Sequence, residues 1–106
     1  MPNKYGARKT YSVLCGRQFD SKWECQRAEE LELMRRAGEI SDLQYQVKYV
    51  LCTKPRITVT IDFAYHDVAK AQWIYEDAKG VLTRDSRTKY AWLREKHGIA
   101  VRLARK

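Results

Sequence analysis

The sequence predicts a mixed α/β (α+β) domain in the order helix, three strands, helix, strand, with a mixed central sheet. Three observations predict it. A capped amphipathic run fills residues 20–38, period-two alternation of apolar and polar residues recurs between residues 43 and 80, and a second capped run leads directly into a short β-rich segment. At 106 residues the chain fits one domain, 1–106, large enough to bury roughly two thirds of its unfolded surface around a single core. No repeat, low-complexity tract or linker divides it. Residues 1–10, "MPNKYGARKT", form a basic leader.

After the leader, "TYSVLCGRQFDS" alternates around Cys15-Gly16 as a small hairpin or extended segment does. In "DSKWECQRAEELELMRRAGEI" a helix starts at Asp20-Ser21 and stops at Gly38, with Trp23, Ala28, Leu31, Met34 and Ala37 along one broad side. "LQYQVKYVL" then sets Leu43, Tyr45, Val47, Tyr49 and Leu51 on one face of a strand and Gln44, Gln46 and Lys48 on the other. Pro55 interrupts before "ITVTIDFAY", a second strand that presents Asp62 away from Ile57, Val59, Ile61 and Phe63. A loop from His66 to Lys70 precedes "AQWIYEDAKG", where alternation groups Trp73, Tyr75, Asp77 and Lys79 and turns Glu76 the other way. The second helix, "TRDSRTKYAWLREKHG", has cap candidates Asp85 and Ser86, apolar positions Ala91, Trp92 and Leu93, and a terminating Gly98. "IAVRL" returns to the sheet by a right-handed crossover.

Charge narrows the function. Twenty-one Lys and Arg against 13 Asp and Glu leave +8, a field that draws polyanions, and nucleic acid is the first partner to consider. No apolar run nears the roughly 18 residues of a membrane-spanning helix, and the leader has no signal-peptide core, so an intracellular location without a membrane partner is expected. Cys15, Cys25 and Cys52 are odd in number and lack C-x-x-C spacing, which reads as free, packing thiols in a reducing compartment.

The acids of "TVTIDFAYHDVAKAQWIYEDAKG" are the candidate chemistry. Asp is disfavoured inside a β-branched strand, yet Asp62 sits there, and a hairpin-like connection sets it beside the strand bearing Asp77. Hydrolysis of a phosphodiester needs an aligned water and neutralisation of charge building on phosphate, which a hard cation held by carboxylates supplies. Asp62, Asp77 and the Ala78 carbonyl suit Mg²⁺, and Lys79 could orient water or stabilise the pentavalent phosphate. The bland reading is a wet sheet face with an ordinary Asp-x-Lys salt bridge, and the residues alone leave both readings open. Glu24 likewise completes a capping box, Ser21-Lys22-Trp23-Glu24, or faces the sheet from the margin of the helix. Trp23, Tyr49, Trp73, Tyr75, Tyr90 and Trp92 could stack bases, although core packing is their default.

Asp62 followed by Asp77-Ala78-Lys79 on consecutive strands, after an acidic first helix, resembles the PD-(D/E)xK nuclease superfamily. "FDSKWECQRAEELELMRRAGEI", "LQYQVKYVL", "IDFAY" and "YEDAKGVLT" look closest to small phage-borne nucleases similar to phage endonuclease I and other Holliday-junction resolvases. The resemblance implies a restriction-endonuclease-like core of order α-β-β-β-α-β and a Mg²⁺-dependent endodeoxyribonuclease, with Mn²⁺ as substitute. It further implies Glu24, Asp62 and Asp77 as metal ligands, Lys79 as catalytic lysine and Gln46 as an auxiliary. Ile61 stands where the superfamily's name has proline. Glu76, directly before Asp77, could share or replace its role. Lys22, Thr83, Arg84, Arg87 and Lys89 are candidates for contacting phosphates of double-stranded or branched DNA. Symmetric junction cleavage would take a homodimer, and a phage-encoded enzyme would act in the host cytoplasm. The alternative is a nucleic-acid-binding module that keeps this fold and performs no hydrolysis.

Overall fold

A computed structural model describes residues 8–79 and 82–104; most of the basic leader lies outside them. A short antiparallel hairpin of β1 (Thr10–Ser12) and β2 (Arg17–Phe19) precedes α1 (Lys22–Arg36). Then come β3 (Ile40–Thr53), β4 (Arg56–Asp67), β5 (Gln72–Asp77), α2 (Arg84–His97) and β6 (Val101–Leu103). The main sheet has the order β3-β4-β5-β6, antiparallel except for the parallel β5/β6 pair that α2 connects. Mixed orientation follows from this: hairpins join β3 to β4 to β5, whereas a helical connection allows the parallel return.

Both helices are fixed by their ends. The Ser21 hydroxyl accepts the Glu24 N–H at 3.0 Å. At the other end of α1 the Gly38 N–H donates to the Arg35 carbonyl and the Glu39 N–H to the Met34 carbonyl, a Schellman closure for which Gly38 takes a φ of 80°. For α2 the cap is Thr83 and not Asp85 or Ser86: its hydroxyl accepts the Ser86 N–H, leaving Asp85 in the first turn, where its charge suits the helix dipole. Gly98 ends α2 in the left-handed conformation expected of it.

Several boundaries differ from the sequence reading. The first two main strands are longer than their apolar alternation, and β4 carries His66 and Asp67 that the sequence assigns to a loop. β5 ends at Asp77, so strand alternation does not place Lys79. On α1, Ala37 is exposed, and the buried face is Glu24, Cys25, Ala28, Leu31 and Glu32. On α2 only Leu93 is buried, while Ala91 and Trp92 face solvent. Trp73 is also exposed, against the edge of His66. All three cysteines are free, and Cys25 is packed in the core.

The apolar interior forms two clusters. One gathers Phe19, Cys25, Ala28, Leu31, Ile40, Phe63 and Tyr65 around α1, and the other gathers Leu51, Val59, Ile61, Leu93 and Ile99 around α2. β4 contributes Ile61 to one and Phe63 to the other, with Asp62 between them. β3 likewise sends Tyr45 to the first and Val47 to the second, with Gln46 between them. Gln46 and Asp62 thus mark, along their strands, the change from one cluster to the other.

Candidate active site

Next to Asp62 the β4–β5 ladder ends with the pair Phe63↔Glu76. The Asp62 N–H then donates to Asp77 Oδ1 at 2.7 Å, and the Ala78 N–H donates to Asp62 Oδ2 at 2.9 Å. Side-chain carboxylates have taken up main-chain donors that a continuing ladder would pair with carbonyls. Asp77 Oδ2 also accepts the Tyr90 hydroxyl from α2. This exchange fixes both acids against the backbone, and Asp77 is 1% exposed.

Glu24 joins them from α1. Its N–H completes half a capping box, but its carboxylate turns to the sheet, where Gln46 Nε2 donates to Glu24 Oε2 at 3.1 Å and to Asp62 Oδ1 at 3.2 Å. Gln46 adopts a φ of 52° inside a strand. A non-glycine residue is uncommon there, and such backbone strain concentrates at functional sites.

Burial, reinforced by the charges of Asp62, Asp20 and Asp77, pushes the Glu24 carboxyl up to about 7. Burial and the Asp77 charge push Asp62 up to about 6, against the pull of the Ala78 N–H, Gln46 and Lys79. Carboxylates crowded in this way favour a proton or a cation. Among the described residues no three His, Cys, Asp or Glu side chains form a metal-holding group, and the Gln46 amide bridges Glu24 and Asp62.

Glu76 is elsewhere. Arg27 donates to it from Nε at 2.7 Å and from Nη2 at 3.1 Å, Tyr65 from its hydroxyl at 2.9 Å, and Arg102 from Nε at 3.2 Å. Burial alone would raise its pKa, but the hydrogen bonds and charge of Arg27, with Tyr65 and Arg102, outweigh it and hold the group below its ordinary value. Glu76 therefore meets arginines and a tyrosine and forms no hydrogen bond with the Glu24, Gln46, Asp62 and Asp77 side chains, unlike the shared role that its place before Asp77 suggested. One-residue alternation explains the split: Glu76 faces α1, and Asp77 faces α2.

Lys79 lines a cavity of about 330 Å³ with Thr58, Thr60, Ser86, Lys89 and Tyr90. Tyr90 connects that cavity to Asp77. Thr83, Arg84 and Arg87 are exposed near the start of α2, Thr83 being used as the cap, and Lys89 pairs with Asp85 at 3.4 Å. Lys22 lines a different groove, so it is not grouped with the α2 cations.

Sequence reasoning took Tyr90 for a stacking or core aromatic and missed Arg27, Tyr65, Arg102 and Arg17. A strand glutamate in a buried position requires a cation, which was the signal for Arg27 and Arg102. Arg17 stacks over Tyr45 at 4.5 Å, and its charge lowers the pKa of Glu24. Its Nε is buried without a hydrogen-bond partner among the described residues. Nothing in the local pattern of β2 marks it.

No curated protein and no solved structure is significantly similar to the chain. One family profile matches it over residues 2–104, and the chain accordingly belongs to the family described as protein of unknown function (DUF1064).

Proposed function

We propose that the chain is a metal-dependent endonuclease hydrolysing DNA phosphodiester bonds, a phage nuclease acting on branched DNA such as Holliday junctions. It would use the restriction-endonuclease-like arrangement implied by its PD-(D/E)xK resemblance. The observation that carries this reading is the convergence of Glu24, Gln46, Asp62 and Asp77, with the Lys79 charge acting on Asp62.

Glu24, Asp62 and Asp77 would hold Mg²⁺, or Mn²⁺ in its place, and oxygen donors of this kind suit either ion. Bound there, the ion would activate water and offset charge on the phosphate. The protein's own groups have separate tasks. The main-chain amides of Asp62 and Ala78 and the Tyr90 hydroxyl orient the aspartates. Gln46 aligns Glu24 with Asp62. Lys79 supplies positive charge to the attacked phosphate. Lys89, Arg84 and Arg87 hold the flanking backbone, and two copies of the chain would make paired cuts across a junction.

The test is cleavage of a synthetic four-way junction and of linear duplex with Mg²⁺. Loss of activity in Asp62→Ala and Lys79→Ala is expected; full activity in both variants sinks the mechanism. One observation favours a second reading, a non-catalytic nucleic-acid-binding module: both Asp77 oxygens already accept protein donors. Each oxygen retains a second lone pair, so ligation stays available. Calorimetry that finds no Mg²⁺ or Mn²⁺ site together with salt-sensitive DNA binding selects the module.

A further inference from the structure

On the α1 side of β5 lies a larger groove, about 770 Å³, whose charged lining is Lys22, Arg27, Glu30, Glu76 and Arg102, with Trp23 and the Leu103-Ala104 segment beside them. Two of its cations are fixed. Glu76, 1% exposed, holds Arg27 through two nitrogens and Arg102 through Nε, while Arg102 Nη2 donates to the Tyr65 hydroxyl at 2.8 Å. Trp23 is pinned by its indole N–H on the Ala104 carbonyl at 2.9 Å.

Two carboxylates, Glu76 and Glu30, face three cations, Arg27, Arg102 and Lys22, so the groove keeps one positive charge in excess. Arg27, with its side chain 18% exposed, serves both acids, holding Glu76 through two nitrogens and Glu30 through Nη1 at 2.9 Å. Arg102 reaches into the open groove: its side chain is 55% exposed, and among the described residues its Nη1 has no partner. A guanidinium held by a buried carboxylate loses little freedom when it binds an anion, and its planar fork matches phosphate. Lys22, exposed at the first position of α1, adds a mobile cation to the same groove.

We propose that this groove is a second phosphate-binding site, in which Arg102 and Lys22 hold the backbone of a nucleic-acid strand beyond the carboxylate centre. Position argues for a strand and against a small anion alone. The first turn of α1 bears Glu24 toward the carboxylates and Lys22-Trp23 toward the groove, and β5 bears Asp77 and Glu76 toward the same two sides. A polyanion passing over the start of α1 meets both. The inference rests on the nucleic-acid reading of the chain but not on catalysis.

The experiment is fluorescence anisotropy of a labelled four-way junction and a labelled duplex in EDTA, over a series of NaCl concentrations. The variants are Arg102→Gln and Lys22→Gln, with Lys54→Gln in the β3–β4 turn as control. Each groove variant should weaken binding several-fold and reduce the slope of log K against log salt by about 0.7–0.9, the share of one phosphate contact, while the control leaves both unchanged. Millimolar inorganic phosphate should compete only weakly; if it displaces the DNA stoichiometrically, the site takes a free anion and the strand proposal is overturned. Wild-type affinity and slope in both groove variants also overturn it. If circular dichroism shows Arg102→Gln unfolded, Lys22→Gln decides alone, because its side chain is exposed. Groove variants that weaken binding in a protein that never cleaves DNA overturn the nuclease reading and leave the groove standing.

Discussion

Replacing Glu24 by Gln should make the metal-free protein more stable at pH 8 and leave it nearly unchanged at pH 5. The Glu24 carboxyl sits at about 7 in the folded chain against an ordinary 4.5. Between those values the folded state binds the proton and the unfolded state does not. Stability therefore falls as pH rises through the window: the contribution is full below about 4.5 and gone above about 7. At about 1.4 kcal/mol per pH unit the ceiling is about 3 kcal/mol. Solvent screening and sharing of the proton with nearby Asp62 reduce it to about 1–2 kcal/mol. Glutamine is nearly isosteric, and its carbonyl still accepts from Gln46, so the change isolates the charge. Urea denaturation in EDTA at both pH values reads the gap directly. A variant equally destabilised or equally stabilised at pH 5 and pH 8 would refute the claim that Glu24 is a crowded anion. A companion measurement adds Mn²⁺, which should stabilise the wild type at pH 8 and do far less for Glu24→Gln.

The other outcomes follow from the same geometry. Glu76→Ala strands two guanidiniums and should cost about 3 kcal/mol in denaturant melts, yet Mn²⁺ titration of the folded variant should match the wild type; lost Mn²⁺ binding would return Glu76 to the ligand set. Tyr90→Phe leaves a buried Asp77 oxygen without its hydroxyl donor and should lower stability by about 1–2 kcal/mol at pH 7, with a junction-cleavage rate that falls while DNA affinity holds. Ser21→Ala removes the α1 cap and should cost about 1 kcal/mol, seen as a lower urea midpoint with an unchanged m-value.

The two helices and three long strands were legible because period and caps are local signals. Ser21, Gly38 and Gly98 do what their residue types predict at helix ends. The Asp85 and Ser86 cap candidates failed by two or three residues because Thr83, Asp85 and Ser86 are all competent caps, and the sequence alone does not rank them by the direction from which the chain arrives. Asp62 was legible as a misfit in a β-branched strand. The partners were not: Tyr90 meets Asp77, Gln46 meets Glu24 across 22 positions, and Arg102 meets Glu76 across 26, all through tertiary packing. Alternation also failed at Lys79, since period-two logic holds only inside the ladder and β5 stops two residues earlier.

Glu76 and Asp77 are neighbours in sequence, each 1% exposed, and they meet opposite environments. Two guanidiniums and a hydroxyl surround Glu76, whereas Asp77 receives one amide and one hydroxyl and forms no ion pair with the described residues. Neutral donors offset only part of the cost of desolvating a carboxylate, so a buried acid without a cation is expensive unless it has a use. The same holds for Glu24, whose hydrogen bond comes from the neutral Gln46 amide. Two of the four acids buried among the described residues are neutralised by arginine: Glu76 by Arg27 and Arg102, and Glu32 by Arg35 and Arg36. The two buried acids without an arginine ion pair among the described residues, Glu24 and Asp77, are linked through Gln46 and Asp62. That division, rather than the Asp-x-Lys tripeptide, is the physical ground for proposing Glu24, Asp62 and Asp77 as the functional acids: Arg17 acts on Glu24 by charge alone, and no arginine forms an ion pair with the three among the described residues.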